Sequence, residues 1–278
     1  MNESPTRKPC LFCGSTENKL TKQHVFAEQM GKYFEGITGK VGIASIRIGN
    51  EAPKTFLSAP FSDAIGGFCE YCNNRWMNDI ENEAISVLGG MMSRGTPRIL
   101  TPANQLVLST FAVMTALVLD HQTPKNRTVP GAEYGTFYAT QTPGTNHLVW
   151  IGKTDPRISE ESVDWEESVN TYLAQSRSGK IRPDREGNDP DFTAQILRAA
   201  PMGQWLYVFT FSIGFVAFQV MGHNLAEAVK FELGAEHRSV FTEIWPVQGE
   251  ASWPPSILIN KYGGVQGMQD VMTGPQAS

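Results

Sequence analysis

The chain has 278 residues, 41% of them hydrophobic and 18% charged, enough apolar side chain to build a real core in one large domain or two modest ones. Its net charge of −5 excludes a general nucleic-acid coat, but the charge is uneven: residues 1–100 carry 11 Lys and Arg against 10 Asp and Glu, and residues 101–278 carry 12 against 18. No secretory h-region is visible, and the longest apolar runs, 106–119 and 206–220, fall short of the roughly 20 residues of a bilayer span, so the expectation is a cytoplasmic protein with no membrane segment.

The cysteines come first in the chain. Cys10 and Cys13 form one CxxC pair, Cys69 and Cys72 a second, with 55 residues between the pairs and no other cysteine. In a reducing compartment this set fits one tetrahedral four-cysteine zinc site better than disulfides or a redox dithiol. Gly14 follows the first pair and Gly66-Gly67 precede the second, as tight knuckles require. Next, "KLTKQHVF" has the branched and aromatic residues of a short strand and carries His24, the only histidine in the first 100 residues. After Cys72, the residues Trp76, Ile80, Ala84, Val87, Leu88 and Met91 recur at helical spacing. Asn73 or Asn74 is placed to cap that helix, and Asp79, Glu81 and Glu83 suit its early turns. Asn73, Met77 and Glu81 fall at i, i+4 and i+8, on one helix face.

Taken together, CxxC, a short strand ending at a histidine, a long insertion, and CxxC-Asn opening a helix resemble an HNH endonuclease of the ββα-metal type. The nearest pattern is the subgroup with a four-cysteine zinc site that includes phage endonuclease VII, and uncharacterised bacterial and phage HNH proteins look similar over residues 10–81. The resemblance implies hydrolysis of phosphodiester bonds, most directly in DNA, with structural Zn²⁺ on the four cysteines and catalytic Mg²⁺ or Mn²⁺. It makes His24 the general base that takes a proton from water, a task suited to a side chain with pKa near 6.5. It makes Asn73 a ligand of the catalytic metal. Gln23 stands where the family has Asp or Glu, also a metal ligand, and the family's middle Asn is missing from "SDAIGGFC". Asp63, Glu28 and Glu81 are the acids left to supply a carboxylate, Glu81 being the one on the helix face. Lys22, Arg75, Lys32 and Arg94 are candidate phosphate contacts. Two other readings stay open: a zinc-stabilised module that binds nucleic acid or a protein partner without cleaving, and a ligand-regulated HNH effector.

Further along, "ANQLVLSTFAVMTALVLDHQ" predicts a buried helix. "NHLVWIG" and "VNTYLAQS" predict strands, and residues 176–191 a polar loop. "QWLYVFTFSIGFVAFQV" alternates at period two, as a long strand or a hairpin bent at Gly214. Asn224 predicts the start of a helix, and "WPVQGEASWPPS" reads as extended. The expected architecture is α+β: a zinc-stabilised HNH module over 1–100, a larger α+β region over 101–263 serving recognition, oligomerisation (a homo-oligomer) or regulation, and a loose tail over 264–278.

Overall fold

The computed structural model describes residues 8–34, 42–46, 54–57, 64–121, 129–155, 205–224 and 235–262, with Gly264 and Met268. The fold is α+β. Strand β1 (Leu20–His24) is followed by a 3₁₀ segment, Glu28–Phe34, and then by β2 (Gly42–Ile46), β3 (Lys54–Leu57) and β4 (Ala64–Cys69). A short helix α1 (Glu70–Cys72) runs through a π turn, Asn73–Met77, into α2 (Asn78–Arg94). Strand β5 (Arg98–Leu100) leads to α3 (Pro102–Asp120), α4 (Gly131–Thr140) and β6 (His147–Lys153). The hairpin β7 (Leu206–Ile213) and β8 (Val216–His223), helix α5 (Ala235–Val240), β9 (Phe241–Trp245), β10 (Ala251–Trp253) and a 3₁₀ segment, Ile259–Tyr262, complete the described elements.

The centre is a six-stranded antiparallel sheet in the order β3-β2-β7-β8-β6-β9. Its inner face carries Tyr207, Phe209, Phe211 and Ile213 from alternate positions of β7, all in the main core. Leu206 and Val208 face the other way, into a second cluster with Trp150, Met221 and Met268. This is why every residue of β7 is buried although its sequence alternates. Helix α3 lies against the inner face, buried on all sides from Leu108 to Asp120. It starts from a Thr101–Asn104 capping box with Pro102 in the first turn. It is long and apolar enough by composition to cross a bilayer, but most of it is enclosed by the rest of the fold.

Gly214 makes the bend between β7 and β8 at φ +57°, and a Cβ there would collide with the Met92 carbonyl oxygen. The same carbonyl accepts a hydrogen bond from Phe215 N at 3.0 Å, tying the end of α2 to the hairpin.

The boundary expected at residue 100 does not coincide with a break in the fold. Gly42–Ile46, from the insertion between the two CxxC pairs, pairs with Phe209–Ile213, so the first part donates β2 and β3 to the sheet of the second. Helix α4 in turn packs on the first part, with Tyr134 and Phe137 at 5.6 and 6.3 Å from Phe12. The tail expected from residue 264 begins inside the fold: Met268 is fully buried, and its carbonyl accepts from Gln219 Nε2 at 3.0 Å. The strand expected at 169–176, the loop at 176–191, most of the helix expected after Asn224, and Asp63 lie outside the described residues.

Candidate metal centre and the adjoining strand–helix site

Strands β1 and β4 form an antiparallel pair with Leu20 opposite Cys69 and His24 opposite Ala64, with a bulge between Thr21 and Lys22. The chain then enters helix α1 directly from Cys69, giving the local order strand, strand, helix. The first CxxC turn is closed by Gly14 N to Cys10 O at 2.9 Å and docked on β4 by Leu11 N to Gly67 O at 3.0 Å. The backbone takes a positive φ at Gly14 (+69°), just after the first pair, and at Gly67 (+111°), inside β4 just before the second, and glycine supplies both. The His121 ring also lies so close over Gly67 that a Cβ would be 2.6 Å from its Nε2.

These turns bring the four sulfurs together. All lie within 4.8 Å of one another, with Cys10–Cys72 at 3.9 Å and Cys13–Cys69 at 3.6 Å. A tetrahedral ion with metal–sulfur bonds of about 2.3 Å sets the sulfurs about 3.8 Å apart, so the cluster fits an ion such as zinc. Cys69 N donates to the Cys10 sulfur at 3.3 Å and Cys72 N to the Cys69 sulfur at 3.5 Å, an arrangement that favours thiolates. The hydrogen bond with Cys72 holds the Cys10 thiol down at about 4, while the same bond, followed by burial, pushes Cys72 up. A cation among the sulfurs takes the place of the shared proton and lets all four act as thiolates. Beneath the cluster, Phe12 packs on Phe68 at 5.2 Å and edge-on against Trp76 at 5.0 Å.

Asn73 follows the last cysteine, and it is not the N-cap of a helix: the N-cap of α1 is Cys69, whose sulfur accepts from Cys72 N, while Asn73 stands at the C-cap of α1 with its backbone N–H donating to Glu70 O. Asn73 lies inside the π turn and reaches across to β1, where its Nδ2 donates to Thr21 Oγ1 at 3.2 Å and to the Lys22 carbonyl at 3.0 Å. Both amide hydrogens are thus engaged on the strand, which leaves Oδ1 as the free acceptor of this half-buried side chain. His24 stands half-buried at the end of β1, two residues beyond the carbonyl that Asn73 holds.

Gln23 alternates to the buried side of β1, only 3% exposed. Its Nε2 donates to the carboxylate of Glu81 at 2.7 Å and to the His24 carbonyl at 3.0 Å, while its Oε1 is buried without a partner. Glu81 is 6% exposed, and burial raises its carboxyl to about 7 against the opposing pull of the Gln23 hydrogen bond. The i, i+4, i+8 face therefore does meet β1: Asn73 at Thr21 and Lys22, Glu81 at Gln23, with buried Met77 between. The sequence offered no signal for the Gln23–Glu81 pairing, since nothing in either segment names the register of strand against helix.

No known family, curated protein or solved structure matches the chain. Its chemistry rests on its own geometry. Of the four cations singled out as phosphate contacts, exposed Lys22 and Arg75 adjoin Asn73. Arg94 is at the far end of α2, about 24 Å of helix rise from Asn78. Lys32 lies over the Tyr33 ring, which covers Gly89 near that same end, so neither gathers with the others. Glu28, exposed at the start of its 3₁₀ segment, is not among the groups on Asn73 or Gln23.

Proposed function

We propose that the chain is a metal-dependent endonuclease that hydrolyses phosphodiester bonds, in DNA first, on a strand–strand–helix module of HNH type braced by structural zinc on Cys10, Cys13, Cys69 and Cys72. The observation that carries the reading is the Asn73 amide: placed directly after the last cysteine, it is clamped by both hydrogens to the strand that ends at His24, and its oxygen takes no part in that clamp. An amide oxygen so fixed is a ready ligand for a hard cation. Gln23, next along the strand from Lys22, and its partner Glu81 supply further oxygens, Gln23 Oε1 being a buried acceptor with no partner. In this reading the carboxylate that the family carries on the strand has moved to the helix, as Glu81.

Bound there, Mg²⁺ or Mn²⁺ would offset the negative charge that builds on the phosphate and on the leaving oxygen. The chain's own groups do the rest. His24 takes the proton of the attacking water. Lys22, whose carbonyl Asn73 holds, and Arg75, two residues after Asn73, are both exposed and hold the flanking phosphates in register. The zinc clip keeps β1, β4 and the helix start in one geometry, which sets the distance from base to ligand.

A second reading, a zinc-stabilised binding module without cleavage, is favoured by one observation: Gln23 and Glu81 are both buried, so the carboxylate nearest the site is shielded from solvent. A cleavage assay on plasmid and branched DNA with Mn²⁺ decides between them. The expected result is nicking by the wild type that falls about 100-fold or more in His24→Ala and Asn73→Ala. Cleavage at the same rate in His24→Ala would end the endonuclease reading.

A further inference from the structure

We propose that Tyr71 and Arg75 form a stacking platform for an unpaired base, so that the substrate class of the site is nucleic acid with a single-stranded segment. The inference rests on the reading of the neighbouring site as one that meets nucleic acid. It starts from a residue the core does not need. The space under the zinc clip is filled by Phe12, Phe68 and Trp76. Tyr71 projects from the same short helix into solvent, 50% exposed, and is the only aromatic among the exposed large hydrophobic side chains of the described residues.

The ring is held in place. Cys69 and Cys72, both fully buried in the sulfur cluster, bracket it in sequence, so its backbone moves only if the clip does. Arg75, four residues on, lays its guanidinium over the ring with Cζ 5.8 Å from the centroid. Arg75 sits at a kink in the chain, at φ −115° and ψ −109°, two residues after Asn73, so the aromatic–cation pair and the Asn73 amide share one short stretch of chain. Exposed Lys22 on β1 and exposed Lys19 just before it, whose carbonyl accepts from Glu70 N at 2.9 Å, lie near this stretch, and Tyr138 of α4 packs on its Trp76 at 5.9 Å.

An aromatic face paired with a guanidinium plane matches the π-face of a base, and every base offers one. Bases within a duplex are already stacked and present only their edges, so the platform is of use only to a nucleotide outside a helix. One such ring with few cations suits contact at a single nucleotide beside the scissile phosphate, in keeping with a chain whose net charge is −5.

The test is fluorescence anisotropy of labelled oligothymidylate and of a duplex of equal length, with zinc-loaded full-length protein in Ca²⁺ to withhold cleavage. Tyr71→Ala is expected to weaken single-strand binding about 10-fold, with duplex binding, zinc content and melting temperature unchanged, and Tyr71→Phe to bind as the wild type does. Arg75→Ala should weaken single-strand binding in the same direction. Equal single-strand affinity for wild type and Tyr71→Ala, an equal loss on duplex and single strand, or no binding of either nucleic acid overturns the proposal. The cleavage assay separates this from the endonuclease reading. A protein that cleaves with no effect at Tyr71 keeps the enzyme and loses the platform, and one that never cleaves but loses single-strand affinity at Tyr71 keeps the platform alone.

Discussion

Gln23 and Glu81 are the pair on which the chemistry turns, and their geometry makes the expected outcome of substitution specific. From the family pattern alone, Gln23→Glu should strengthen metal binding at no cost to the fold. In the structure the new carboxylate would face Glu81 across a buried 2.7 Å contact, where like charges resist ionising together. Gln23→Glu is therefore expected to destabilise chelator-treated protein by about 2 kcal/mol at pH 8 and to regain that loss when Mn²⁺ is added, measured by urea unfolding. A loss that Mn²⁺ leaves untouched would mean that the pair is purely structural. The wild-type carboxylate carries its own signature. Its folded pKa, about 7, exceeds the ordinary 4.5, so the folded state holds the proton longer than the unfolded one between those values. Stability from this group is therefore unaffected below about pH 4.5 and declines as pH rises to about 7. Glu81→Gln should remove that decline, leaving metal-free protein up to ~3 kcal/mol more stable at pH 8. At this scale the sequence was legible where chemistry is carried by spacing. The four cysteines declare a shared centre because few other arrangements use two CxxC pairs. Asn73 was open to two roles, cap or ligand, because both begin with an amide at a helix start. Only the strand across from it, with Thr21 and the Lys22 carbonyl, decides which atoms are engaged.

Among the elements, those written in local periodicity were readable: β1, the long helix after Cys72, buried α3, β6, and the β7–β8 hairpin turning at Gly214. What periodicity lacks is the identity of a strand's neighbour. Residues 42–46 carry no mark that their partner lies more than 150 positions away, because backbone hydrogen bonding is the same for any partner. The start of α1 was also displaced, since its cap is a cysteine sulfur rather than the asparagines that usually serve. Gly214 gives the elements a sharp test. Its φ is positive, and the Met92 carbonyl occupies the place a methyl would take, so Gly214→Ala faces both backbone strain and a clash with a backbone atom that cannot rotate away. A loss of ~3 kcal/mol or more is expected by urea unfolding, whereas Gly131→Ala, with nothing near its Cβ, should stay within about 1 kcal/mol of the wild type.

For the molecule as a whole, the sulfur cluster and the sheet are two separate long-range closures. The purified protein is expected to hold about one zinc per chain by elemental analysis, and its removal should lower stability by roughly 5 kcal/mol, or about 10–20 °C in melting temperature. Because Phe12, Trp76 and α4 share one core with the sheet, that loss should register in the single unfolding transition of the whole protein rather than in a detached melting step. Two resolved transitions, only one of them sensitive to chelator, would show that the clip and the sheet are energetically independent. The α+β class was legible in the sequence; the interweaving of its two parts was not, because it depends on strands that cross from one to the other.

That interweaving imposes an order on synthesis. As the chain leaves the ribosome, both CxxC pairs are available once Cys72 has emerged, so metal capture can cinch the intervening loop early. Strand β2 must then wait, its hydrogen-bonding edge unsatisfied, until residues 206–213 arrive. A fragment ended at residue 100 would be held at that waiting stage, zinc-competent yet adhesive along an open strand.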